Sequence, residues 1–228
     1  MDIRIDSILP FAEGHAFGKA GPYERLKGVA RGTLDPSASR NSGIVDLDKA
    51  QRNAAGLVEY EIDIDILKPI DLGRGNRVLF YEVSNRGSKL LGRLLHGVGS
   101  ANPIDLNDPS TLAHVGNGLL FERGATLVWS GWDPTVPDRN ANLCARFPLA
   151  LEDGRPMVRR IREEFQVGKR IATAETIALT YPAASLDKGR ARLMMRRREG
   201  DARIEIPQEQ WEFVNAQQVR LLPQGTQL

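Results

Sequence analysis

A chain of 228 residues with 41% apolar and 26% charged side chains can bury a substantial core, which sets aside disordered and disulfide-stapled classes. Its 31 basic side chains against 29 acidic ones leave a formal charge of +2, so no strong positive field points to nucleic acid. A single cysteine, Cys144, allows neither an intramolecular disulfide nor a CxxC zinc spacing, and no apolar run reaches the roughly 18 residues of a spanning helix, so no membrane partner is expected.

Met1 to Asp6 alternates charged and apolar side chains and lacks the apolar core of a secretory signal, so the expectation is a cytoplasmic protein or an exported one already processed. After the loop Gly18 to Pro22, a strand is expected from Tyr23 to Leu34, closed by the turn Asp35-Pro36-Ser37. A polar connection then runs from Ser39 to Gly56. From Val58 to Ile66 the residues alternate strictly, with Val58, Tyr60, Ile62, Ile64 and Ile66 on one side and four carboxylates on the other. This predicts a strand that covers a core with its isoleucines and wets its carboxylates. Val78 to Val83, bounded by glycine- and asparagine-rich turns, reads as a strand buried on both faces. Helical turns follow within Lys89 to His96 and Leu119 to Arg123, separated by a loop from Gly97 to Ser110, before a second buried strand at Ala125 to Trp129.

Beyond Asp133 one-sided strands return at Leu143 to Leu151, Val158 to Phe165 and Ile171 to Leu179. A hairpin pairs Ala191 to Arg197 with Ala202 to Ile206 across Glu199-Gly200-Asp201, and another strand begins at Trp211. The expected class is α+β and predominantly β, with one-sided antiparallel strands and one short strand-helix-strand parallel unit. Three regions are expected: a β-rich 1–76, the parallel unit at 77–133, and a second β-rich region, 134–228, packing with the first.

The chemistry is best approached through what is missing. A Gly-x-Ser-x-Gly elbow, which exposes a serine on a strained strand-to-helix turn, does not occur. Ser100 and Ser130 come nearest but lack flanking glycines in register. His15, His96 and His114 are too scattered for a metal signature, Cys144 sits in an alternating run as a structural thiol, and Gly73-Arg74-Gly75 precedes a strand instead of opening a helix. No catalytic residue, metal or cofactor is assigned. Glu59, Glu61, Asp63 and Asp65 could hold calcium at their spacing of about 7 Å. The favoured reading pairs them with arginines such as Arg159, Arg160, Arg162, Arg192, Arg196, Arg197 and Arg198. Asn85, Arg86 and Gly87 follow the first buried strand, where open sheets place their crevice, and their amides are candidates for an oxyanion loop. Trp129, Trp132 and Asp133 end the second buried strand and are candidates for lining a pocket.

Several blocks, taken together and in order, carry a likeness: Gly18 to Leu26, Ile44 to Asp48, Tyr81 to Gly87, Gly124 to Asp133 and Tyr181 to Asp187. They resemble the bacterial alpha/beta hydrolase domain-containing proteins. The resemblance implies a hydrolase sheet, esterase-like activity on a small ester-like substrate, an oxyanion loop at Asn85 to Gly87, and a serine, acid and histidine beyond the part seen here. On that basis the chain is expected to be an N-terminal portion, inactive alone. The rival expectation is an independent β-rich binding or assembly module, including a homo-oligomer formed through an exposed sheet edge. A third, lesser one is a metal-dependent enzyme built on Glu59 to Asp65.

Overall fold

The computed structural model describes residues 1–99, 106–137, 139–166 and 176–222. They form two compact units, Met1–Met157 and Val158–Leu228. The chain is predominantly β, with several antiparallel sheets and one mixed sheet that contains a parallel pair.

The first unit is organised by a seven-stranded sheet. Its strands are β1 (Asp2–Pro10), β2 (Ala16–Phe17), β3 (Gly21–Leu34), β4 (Val58–Pro69), β5 (Leu79–Val83), β6 (Thr126–Ser130) and β7 (Ala145–Arg146). The order is β1-β3-β4-β6-β5, with β2 on β3 and β7 on β4, so the sheet draws on all three regions marked off in the sequence. The antiparallel pair β3 and β4 forms its spine, registered without a break from Tyr23 opposite Pro69 to Leu34 opposite Val58. β5 and β6 run parallel, Leu79 opposite Thr126 through Val83 opposite Ser130. A parallel pair needs a crossover, here carrying helical turns at Leu91–Leu94 and Leu119–Glu122, and the later strand lies inside the earlier one.

One face of this sheet carries Tyr23, Leu67, Leu127 and Trp129 into a core with Phe11, Phe17 and Phe121. Phe121 anchors it: its ring meets Phe11 at 5.0 Å, Phe17 at 5.1 Å and Tyr23 edge-on at 5.3 Å. The Tyr23 hydroxyl donates to the Ala125 carbonyl at 2.9 Å, which ties the crossover to the sheet. The opposite face carries Ile3, Ile5 and Ile8 on β1, Leu26 on β3, Ile62, Ile64 and Ile66 on β4, Val128 on β6, and Leu79, Tyr81 and Val83 on β5. It passes from buried Ile64 to Leu79 and Val83, which are 61% and 65% exposed.

The alternation at Val58 to Ile66 therefore marks a strand, but its facing needs correcting. The carboxylate side is the one that turns toward the aromatic core, and Asp65 is fully buried there. The physical reason is neutralisation: Arg25 and Lys89 pair with Asp65, while Arg31 and Arg146 pair with Glu61, and Arg146 also with Asp63. These partners, Arg25, Arg31, Lys89 and Arg146, are not the arginines named from the sequence. The strand reading of Val58 to Ile66 survives, within a strand that runs on to Pro69, because backbone alternation does not depend on which face is wet.

Three later expectations change as well. Of Leu143 to Leu151, only Ala145–Arg146 joins the sheet; Leu151–Glu152 (β8) instead pairs with Arg155–Pro156 (β9). Val158 to Phe165 takes part in no strand ladder among the described residues. Part of the expected strand Ile171 to Leu179 lies outside the described residues, and Thr176–Ala178 is β10.

In the second unit Met194–Met195 (β11) pairs with Ile204–Glu205 (β12), a shorter hairpin than the sequence predicts. Trp211–Asn215 (β13), Gln218–Leu221 (β14) and β10 form a three-stranded sheet over a core of Ile206, Trp211, Val219 and Leu221. Among the described residues no helix is long and apolar enough to cross a membrane.

Candidate functional site

β5 and β6, being parallel, deliver their carboxyl ends to one edge, where loops rather than ladder bonds must satisfy the backbone. After β5 the chain closes a tight turn, Asn85 N–H donating to the Ser88 carbonyl at 2.8 Å and Ser88 N–H returning to Asn85 at 3.1 Å. Arg86 and Gly87 both have positive φ, at 48° and 85°. Glycine at 87 is required twice over, since a Cβ would also lie 2.7 Å from Val136 Cγ1 and 3.0 Å from the Leu143 carbonyl oxygen. Among the described residues the amides of Arg86 and Gly87 donate to no acceptor.

The loop after β6 folds against this turn. Trp132 Nε1 donates to the Ser84 carbonyl at 2.6 Å, and Arg86 Nε donates to Asp133 Oδ2 at 2.8 Å while its Nη2 reaches Thr135 Oγ1 at 2.8 Å. Burial raises the Asp133 carboxyl's affinity for its proton, but the bonds from Thr135 and Arg86 outweigh it and hold the carboxyl below its usual range. Arg86, Gly87, Trp132 and Asp133 are thus brought together. Asn85 shares their turn. Trp129 is not with them: it faces the core, and its indole N–H donates to Glu82 Oε2 at 2.5 Å. Because Arg86 is more than half exposed, Arg86→Ala should cost under about 1 kcal/mol in urea unfolding. A larger loss would mean the turn depends on that pair.

The nucleophile candidates divide. Ser100 lies outside the described residues. Ser130 Oγ sits 2.6 Å from the Tyr81 hydroxyl, with its carbonyl accepting from Ser84 Oγ at 3.0 Å. The histidines are engaged elsewhere. His96 Nε2 accepts from Leu120 N–H at 3.4 Å, and burial lowers its pKa; His114 Nδ1 accepts from Ser110 N–H at 2.9 Å; His15 packs edge-on against Phe17. No serine hydroxyl bonds a histidine ring among the described residues, and no His, Cys, Asp or Glu group is arranged to hold a metal there.

What sequence reasoning missed is a buried charge cluster beneath the crossover. Arg25 Nε donates to Asp65 Oδ1 at 2.9 Å and its Nη2 to Oδ2; Nη1 bonds Asp108 Oδ1 at 2.7 Å and the Pro109 carbonyl at 3.0 Å. Lys89 Nζ donates to Asp65 Oδ2 and, at 2.6 Å, to the Asn107 carbonyl, and lies 5.0 Å above the Trp129 ring. Arg25, Asp65 and Lys89 are 5%, 0% and 2% exposed. Burial pushes the Lys89 amine down to about 8, against the raising pull of Asp65 and with the repulsion of Arg25. Burial would raise the Asp65 carboxyl, but Lys89 and Arg25 hold it low. The same cations bond the Asn107 to Pro109 backbone, so the cluster fastens the crossover to the sheet. A cavity of about 20 Å³ beside Lys89, lined also by His96, Phe121 and Trp129, has room for a single water. With Lys89 Nζ held by the Asp65 carboxylate and the Asn107 carbonyl and so little space beside it, the cluster is structural rather than a substrate site.

Comparison of the chain with protein-family models, curated proteins and solved structures finds no match.

Proposed function

We propose that this chain supplies the first strands and the oxyanion loop of an esterase-like α/β-hydrolase, acting on a small ester, with the nucleophile carried by sequence outside these 228 residues. The observation that carries the reading is the end of β5. A parallel strand delivers a positive-φ turn whose Arg86 and Gly87 amides have no acceptor among the described residues, at a place where hydrolases of this class draw one oxyanion donor from the loop after an early central strand. The sheet adds support. Parallel sheets are covered on both faces, and the face bearing Leu79, Tyr81 and Val83 is open, as in a sheet to which more is added.

In this reading the turn holds its amides toward a carbonyl oxygen that gains charge, a contribution of about 3 kcal/mol per donor in acyl transfer. Trp132 and the Arg86–Asp133 pair brace the turn from the β6 side. The test is turnover of a p-nitrophenyl ester by the chain alone and by the chain extended through the coding sequence that follows Leu228. Hydrolysis by the extended protein only, dependent on a serine in a Gly-x-Ser-x-Gly turn, is the expected result. Hydrolysis by the 228-residue chain, or a continuation that encodes no such turn, overturns the reading.

A further inference from the structure

The two edges of the seven-stranded sheet are built differently. β1, at one edge, carries Asp2, Arg4 and Asp6, an Arg4–Asp6 ion pair at 2.7 Å, a register shift between Ile5 and Ser7, and a terminal Pro10. Charges, a bulge and a proline are the devices that keep an edge from pairing with another strand. β5, at the other edge, has none of them within Leu79–Val83. Its one charged residue, Glu82, turns its carboxylate inward, accepting from Leu90 N–H at 2.7 Å, Leu91 N–H at 3.1 Å and the Trp129 indole.

We propose that β5 is a strand-pairing surface and that in this chain its occupant is a second copy of β5, joined antiparallel about a two-fold axis at Tyr81. The inference does not rest on the hydrolase reading, since it needs only the outward edge.

The hydrogen-bonding phase of the edge supports it. Thr126 N–H donates to the Val78 carbonyl, so in the parallel ladder the even residues 78, 80 and 82 turn their backbone groups toward β6. Leu79, Tyr81 and Val83 therefore present theirs outward. A two-fold at Tyr81 sets Tyr81 against its own copy and Leu79 against Val83 of the partner subunit, each as a reciprocally bonded pair, with no outward donor left over between Leu79 and Val83. The same three residues share one sheet face, so both copies' Leu79, Tyr81 and Val83 close into one apolar strip continuous with Val128 and Ile66. No like charges meet across the axis. Because only five residues pair, the contact is smaller than that of an obligate dimer, and the association is a concentration-dependent equilibrium.

The test is light scattering on the full chain over a range of concentrations, with register-specific cross-linking. The wild type should pass from monomer to dimer as concentration rises. Val83→Lys, which sets an unpaired charge against Leu79 of the partner subunit in the apolar strip, should stay monomeric with an unchanged circular dichroism spectrum, and so should Tyr81→Pro if it folds, since the N–H it removes faces outward. In a Cys144→Ser background, Tyr81→Cys should give a disulfide-linked dimer under mild oxidation, because paired Cα atoms lie about 5.5 Å apart. Leu79→Cys should not, its two copies being about 13 Å apart. A wild type that stays monomeric at every concentration overturns the proposal and leaves the edge to another partner. A dimer indifferent to Val83→Lys, or cross-linking equal at 79 and 81, overturns it too. Ester turnover reads none of these outcomes, so this proposal and the hydrolase reading fail independently.

Discussion

Asp65→Ala is expected to lower the free energy of unfolding by about 3 to 5 kcal/mol, because it strands two buried cations without their shared anion. Arg25 and Lys89 converge on this one carboxylate from β3 and from the start of the crossover. Lys89→Met is the contrasting variant. It removes one of two cations from a cluster that keeps the Arg25–Asp65 pair, fills the space with an apolar chain, and should be close to neutral at pH 7. The pH dependence has a definite sign. The Lys89 amine titrates near 8 in the folded chain and near its ordinary 10.5 when unfolded. Between these values the unfolded chain holds more protons, so this group makes stability rise with pH across that window. Urea unfolding followed from pH 7 to 10 should show that increment in the wild type and lose it in Lys89→Met. An Asp65→Ala variant as stable as the wild type would remove the cluster from any structural role.

The second large effect is expected at Gly131. Its φ is unexceptional, but a Cβ there would overlap the backbone of Cys144. That backbone cannot withdraw: the Cys144 carbonyl accepts from Asp63 N–H at 3.0 Å, Cys144 N–H donates to Asp63 Oδ2 at 2.7 Å, and Gly131 N–H itself donates to the Asp63 carbonyl at 2.8 Å. Gly131→Ala should therefore cost about 3 kcal/mol, at the upper end for overpacking, and should loosen the pairing of Ala145–Arg146 with β4. Hydrogen exchange at the Cys144 and Gly131 amides would report it locally. A variant with wild-type stability and protection would show that this junction can yield.

How far the sequence discloses this molecule depends on the range of the interactions involved. Period-2 alternation at Val58 to Ile66 and the apolar runs at Val78 to Val83 and Ala125 to Trp129 identify β4, β5 and β6, because backbone period and turn glycines are local signals. The parallel sense of β5 and β6 follows from the helical turns between them. Which face of β4 is covered does not follow, since the cations that allow Asp65 to be buried lie 40 and 24 residues away in sequence. Val158 to Phe165 alternates like a strand yet joins no ladder among the described residues, for alternation supplies a face but not a neighbour. At the candidate site the turn Asn85 to Gly87 was legible as a glycine turn after an apolar strand. That strand is not buried on both faces as expected: β5 ends the strand order, and Leu79, Tyr81 and Val83 are exposed because no further strand or layer covers them among the described residues. The clamp of the Asn85 to Gly87 turn on Asp133 could be found only in three dimensions, as could the turn of Trp129 into the core.

Mass spectrometry after treatment with a serine-directed fluorophosphonate tests the hydrolase reading most directly. The 228-residue chain should keep its mass, and the protein extended through the sequence after Leu228 should gain one phosphonyl group on the serine of a Gly-x-Ser-x-Gly turn. Stoichiometric labelling of Ser130 or any other serine within the 228 residues would contradict it.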